Sequence, residues 1–163
     1  MYSEAEVLAL KAQLRKRRWI IAIPSFLLLA AAVALFVRFQ HQRSESGWMI
    51  SCAMSIVAGV VFFFLYSLHV TPLRLYLRHV QDMLTGLTRE TSGILAEVAE
   101  RPTDRDGLNW YALLVNIGDR NDPKDDRLFY YDALKGRPDM PVGTQVTIIS
   151  HDKRIAEIQE QKT

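Results

Sequence analysis

Residues 19–37 read WIIAIPSFLLLAAAVALFV, an unbroken apolar run with no charged side chain. Residues 48–70 read WMISCAMSIVAGVVFFFLYSLHV, where only Cys52, Tyr66 and His69 can ionise. At about 1.5 Å per residue the two runs would form helices ~28 and ~34 Å long, enough for a hydrocarbon core of ~30 Å. In lipid the backbone N–H and C=O groups must be satisfied within the protein, so runs this continuous read as transmembrane helices. The competing reading is a pair of buried helices in a soluble protein. It fails on size, because a chain of 163 residues cannot surround both.

Arg17-Arg18-Trp19 faintly resembles a twin-arginine start, but the first apolar run is longer than a secretory core of ~7–15 residues. No small-x-small site precedes the polar stretch and a second span follows at once, so the first is read as an uncleaved anchor. Lys11, Arg15, Lys16, Arg17 and Arg18 precede it, whereas the connecting stretch RFQHQRSESG has Arg38 and Arg43 offset by Glu45. Arg74, Arg78 and Arg89 follow the second span. The positive-inside rule then predicts a multi-pass protein of the cell membrane with both termini cytoplasmic. Trp19 and Tyr66 suit an inner aromatic belt, and Trp48 with Phe39 an outer one. Arg15, Lys16, Arg17, Arg18, Trp19 and Trp48 are the expected interface residues.

Working outward, Ser3-x-x-Glu6 is a capping-box pattern, so a helix is expected from about Glu4 into the first span. Leu73, Leu77, Val80, Leu84 and Leu87 recur at spacings of four and three, an apolar stripe ending near Gly86. The extensions 4–18 and 72–87 match in length. They are expected either to pair as a stalk or to dock on the C-terminal domain, with a membrane-surface helix at 72–87 as a rival. Within the second span Ser51, Ser55 and Gly59 form a small-xxx-small stripe suited to close helix approach, within the hairpin or between copies.

From Arg89 the pattern changes. Five β-like runs at 91–99, 108–118, 126–133, 144–150 and 153–159 alternate with turn-rich stretches. Tyr111, Leu113, Val115 and Ile117 share one face. In the later runs Val146 and Ile148 oppose Thr147 and Ile149, and Ile155 and Glu157 oppose Ala156 and Ile158. Five short antiparallel strands suit a small closed barrel of the OB or SH3-like type. The expected organisation is a hairpin with helical extensions at 1–87 and a β-barrel domain at 88–163.

The stretch PVGTQVTIISHDKRIAEIQ, with an SG-ILAEV strand upstream and the motif Gly143-x-x-Val146-x-Ile148, resembles the end of the OB-type domain in NfeD-like membrane proteins. The resemblance covers about the last 70 residues. It implies a non-catalytic accessory protein that works with other membrane proteins, such as stomatin-type scaffolds.

The residues offer little convergent chemistry. His41, His69, His79 and His151 fall in four different settings with no second ligand one turn away, which argues against zinc. Cys52 sits in an apolar run, where a thiolate is disfavoured and an intrachain disulfide has no partner. Ser150, His151 and Asp152 are neighbours on a turn, and a triad needs converging side chains. Asp119, Asn121, Asp122, Asp125 and Asp126 look like a calcium loop, yet Pro123, Lys124 and Tyr130 stand where ligands or glycine belong. Trp110, Tyr111, Phe129, Tyr130 and Tyr131 could stack bases on an OB surface. Residues 88–163, however, hold eleven Lys/Arg against fourteen Asp/Glu, a poor balance for phosphate backbones.

The expected function is a membrane-anchored, non-catalytic adaptor or accessory subunit, bacterial, with no cofactor, no metal and no small-molecule substrate. Its partners would be the lipid bilayer and another membrane protein. Polar loops carry recognition in small barrels, which singles out Asp104, Arg105, Asp106, Asp119, Arg120 and Asn121. A homo-oligomer built on the second span is the alternative, and a membrane-tethered single-stranded nucleic-acid binder a further one.

Overall fold

A computed structural model describes residues 1–41, 45–118 and 122–161. Three helices lead: α1 (Glu4–His41), α2 (Glu45–His69) and α3 (Thr71–Thr85). Six strands follow: β1 (Arg89–Val98), β2 (Thr103–Arg105), β3 (Leu108–Asn116), β4 (Asp126–Asp132), β5 (Gln145–His151) and β6 (Arg154–Glu160). The chain forms two compact units. One is Leu8–Arg74, and the other joins Met1–Val7 to Leu75–Thr163.

The first unit is a helical hairpin whose two helices are long and apolar enough to cross a membrane. Only 11% of the most apolar window of each is buried within the protein. Phe26, Phe63, Phe64 and Ile56 stand mostly exposed, while small residues meet across the hairpin, with Ala32, Ser51 and Ala58 buried. A Cβ at Gly47 would collide with the ring of Phe39, so the helices touch closely at that point. Helix covers Arg38–His41 and residues 45–47, all within the ten-residue connection expected at 38–47. Nothing in RFQH breaks a helix, so the ladder runs on past the apolar residues. At the other end Arg17 Nη1 donates to the carbonyl of His69 at 3.3 Å, a cation placed on the exposed C-terminus of α2. Pro72 lacks an N–H, yet Val70 N still donates to Tyr66 O and Arg74 N to Val70 O, both at 2.9 Å. Helix therefore resumes at once as α3.

The second unit is built on a closed five-strand barrel. Its strands run β1-β5-β6-β4-β3, and β3 returns to pair with β1. This closure is compatible with an OB-type domain. The steps are antiparallel except for β4–β6, which pair in parallel at Tyr130 and Arg154. The sixth strand, β2, lies in the stretch read as turn. It folds back on β3 through Asp106-Gly107, both at positive φ (59° and 75°), the turn whose twist suits a two-residue hairpin.

Leu95, Val98, Leu113, Val115, Phe129, Val146, Ile148 and Ile155 fill the barrel. Strict alternation fails twice. The register slips between Leu95 and Glu97 on β1, which lets Leu95 and Val98 both face inward. On β6 a second slip lets Ile155 and Ile158 share the core side, correcting the expected pairing of Ile155 with Glu157.

Candidate functional site

The densest polar cluster of the barrel unit lies where Met1–Val7 and α3 meet β3 and β4. Ser3 starts it by capping α1. Its Oγ accepts from Glu6 N at 3.3 Å, one half of the expected capping box. The other half is diverted, because the Glu6 carboxylate receives Lys135 Nζ at 2.7 and 2.9 Å. Tyr2, one residue before the cap, carries its ring toward Lys135 Nζ (5.2 Å to the centroid).

Asp132 ends β4 and is 3% exposed. Its Oδ1 accepts from Leu134 N at 2.9 Å and so caps the short helical turn Ala133–Lys135. Its Oδ2 accepts from Tyr76 Oη at 2.9 Å and from Tyr2 Oη at 3.2 Å. The Tyr76 hydroxyl has one proton, which the shorter bond to Asp132 claims over the 3.3 Å contact with Glu6 Oε1. Burial, with Asp132 and Glu6 alongside, pushes both phenols well above their ordinary value of 10, so both remain neutral donors.

His79 is 2% exposed, with Nε2 3.0 Å from Tyr2 Oη. Which of the two donates follows the imidazole tautomer, since Tyr2 Oη also lies 3.2 Å from Asp132 Oδ2. Nδ1 is buried and has no hydrogen-bond partner among the described residues. The ring stands edge-on to Trp110 with centroids 4.7 Å apart. Burial drives the His79 pKa down to about 4, with Arg154 adding to the fall and Asp132 opposing it. Trp110 is 2% exposed and donates Nε1 to Arg105 O at 3.1 Å.

This arrangement holds a helix turn, a helix face and two strands in one register through neutral phenols and a neutral imidazole. The expected apolar stripe of α3 is accordingly rotated. Tyr76, Leu77, His79, Val80 and Met83 are buried, Leu73 is half-buried, Leu84 is exposed, and Leu87 lies beyond the helix at 94% exposure. The stripe read from Leu73, Leu77, Val80, Leu84 and Leu87 missed Tyr76 and His79. Asp132-x-Leu134 was a legible capping signal, but its long-range tyrosine partners were not.

The recognition residues are only partly gathered. Asp104 is exposed on β2, the Arg105 guanidinium lies 4.5 Å from the centroid of the Tyr130 ring, and Asp106 Oδ2 accepts from Arg154 Nη2 at 3.0 Å. Asp119, Arg120 and Asn121 lie outside the described residues. Ser51 and Ser55 donate to Gly47 O and Ser51 O of their own helix, whereas a Cβ at Gly59 would meet nothing within 4 Å. Arg15, Lys16, Arg17 and Arg18 are exposed, as are Trp19 (62%) and Trp48 (51%).

Ser150 and His151 diverge. Ser150 Oγ donates to Arg89 O at 3.4 Å, while His151 Nδ1 faces Leu87 O at 2.7 Å. Among the described residues no three of His, Cys, Asp and Glu could together hold a metal ion. Trp110 and Phe129, both offered as stacking rings, are buried, so that platform loses two of its five members. Comparison with protein families, curated proteins and solved structures finds no match to the chain.

Proposed function

We propose that the chain is a membrane-anchored, non-catalytic adaptor or accessory subunit that presents its barrel to a protein partner at the cytoplasmic face. The observation that carries this reading is the use each unit makes of its side chains. The hairpin turns large apolar groups such as Phe26 (70% exposed) and Phe63 (72%) outward, where water would be a poor solvent and lipid a good one. In the barrel unit the buried polar groups bond to one another and fix the position of α3, leaving recognition to the exposed loops. The basic cluster before the first span favours a cytoplasmic N-terminus, and an even number of spans returns the barrel to that side. The resemblance of the C-terminal stretch to NfeD-like proteins points the same way.

The test is co-purification of the full chain in mild detergent. Replacing Asp104, Arg105 and Asp106 together by serine is expected to cut partner recovery severalfold. Thermal unfolding should hardly move, because the Asp106–Arg154 pair is exposed and worth about 0–1 kcal/mol. Unchanged recovery would count against the loop, and the absence of any specific partner against the adaptor.

A second reading, a homo-oligomer of the hairpin, is favoured by the open space above Gly59. A groove of about 340 Å³ there is lined by Ala22, Ser25, Phe26, Leu29, Ala58 and Phe62. Cys52 is exposed and free, so thiol crosslinking in membranes separates the readings: a covalent homodimer favours self-association.

A further inference from the structure

The barrel is sealed unevenly. Among the described residues, Arg89–Gly93 of β1 pair with β5 alone, because β1 meets β3 only from Ile94 onward. Likewise Asp126–Phe129 of β4 pair with β3 alone, because β6 reaches β4 only at Tyr130. Among the described residues neither stretch has a strand on its second side, and the two face different gaps, β1 toward β3 and β4 toward β6. Their backbone groups are aimed outward by simple alternation. Tyr130 N donates away from β3, to Lys153 O, so Leu128 and Asp126 direct their N–H and C=O the same way. Leu95 N donates toward β5, to Thr144 O, so the intervening Ser92 and Glu90 point theirs away from β5.

A cleft of about 490 Å³ lies along Asp126–Phe129 of β4, with Ser150 and Lys153 also lining it, within the range that binds ligands. Arg89, Arg127 and Lys153 line it, and none of the three forms a salt bridge among the described residues. The one carboxylate among the lining residues belongs to Asp126, which already accepts from Asn116 Nδ2 at 2.8 Å. This cationic excess runs against the acidic balance of residues 88–163. Ile117 (40% exposed) and Leu128 (38%) add apolar footholds, whereas Phe129, at 6%, offers no face on which a base could stack.

We propose that this seam is a β-augmentation site for an extended, acidic segment of a partner protein. Main-chain bonds to the free edge of β4 at Asp126 and Leu128 would hold the segment, and its carboxylates would meet Arg89, Arg127 and Lys153. The proposal rests on the adaptor reading and deepens it by giving the partner's chemistry.

The full chain in mild detergent, titrated into a short fluorescent peptide alternating valine and glutamate, tests it by anisotropy. Saturable binding is expected, weakened about tenfold or more in the Arg127→Glu, Lys153→Glu double variant. Methylating alternate amides of the peptide should abolish binding to the unaltered protein, a comparison that needs no variant to fold. A lysine-for-glutamate peptide and oligo-dT should not bind. The seam is overturned if the acidic peptide does not saturate, if the methylated peptide binds equally, or if oligo-dT competes. A partner that still co-purifies while the peptide fails would remove the seam and spare the adaptor. A peptide that binds a chain without partners would do the reverse.

Discussion

The hairpin and the barrel are both made of apolar segments, yet they use them in opposite directions. In the hairpin the small residues Ala32, Ser51 and Ala58 are buried and the phenylalanines face out. In the barrel Phe129, Leu113 and Ile155 are buried and the polar residues face out. The same residue type therefore has a different meaning in each unit. A buried phenylalanine is a packing element, and an exposed one on α2 makes a surface that water solvates poorly. What differs is the backbone. A helix satisfies its own hydrogen bonds and can leave its side chains to lipid, whereas strands depend on neighbours and must close around a core.

That contrast breaks most sharply by truncating the same residue in each unit. Phe129→Ala should destabilise the barrel by about 3–5 kcal/mol, read by chemical unfolding, because it leaves a cavity in the core. Phe63→Ala, at 72% exposure on α2, should move the same transition by less than about 0.5 kcal/mol. Equal losses would mean that the hairpin folds as a soluble helix pair.

A charge makes the reciprocal test. Val57→Arg, at an exposed position of α2, should cost roughly 3 kcal/mol of insertion, seen as a smaller membrane fraction. Val142→Arg, equally exposed on the barrel, should cost nothing measurable. Proper insertion of the Val57 variant would refute the lipid-facing reading of α2.

Acid should separate the units next. His79 is neutral when folded, with its pKa pushed down to about 4 by burial, while the unfolded chain takes the proton near 6.5. The unfolded state thus binds more protons between these values. Stability of the barrel unit should be fully present above about pH 6.5 and fall by roughly 3 kcal/mol as pH approaches 4. His79→Phe should flatten that slope, and an unchanged slope would assign the acid sensitivity elsewhere. The smallest effect belongs to the cap, where Ser3→Ala should cost about 1 kcal/mol.

The two long apolar helices were legible because an uncharged run of sufficient length is a feature that composition alone displays. The strands were legible where alternation is simple, as at Val146 and Ile148. Reading failed where a bulge shifts the phase, as at Ile155 and Ile158, because a two-residue period cannot announce an extra residue. It failed at β2, whose polar flanks hid the Asp106-Gly107 turn. It failed most completely at the polar cluster. Tyr2, Tyr76, His79 and Asp132 are brought together from three distant segments, and no periodicity states which carboxylate meets which phenol. The basic seam was invisible for the same reason, since Arg89, Arg127 and Lys153 converge only once the strands diverge.

Met1–Val7 belongs to the compact unit of the barrel although the whole hairpin separates them in the chain. The barrel unit is thus a discontinuous fold with the membrane-type segment as its insertion. Cutting the chain at Leu75 to obtain a convenient soluble fragment would delete Tyr2 and Glu6, stranding Lys135 without its counter-ion and taking the Tyr2 hydroxyl away from His79 Nε2. A ribosome making this protein would likewise release the opening residues long before the strands that receive them exist. Assembly of this corner must therefore wait for the last third of synthesis.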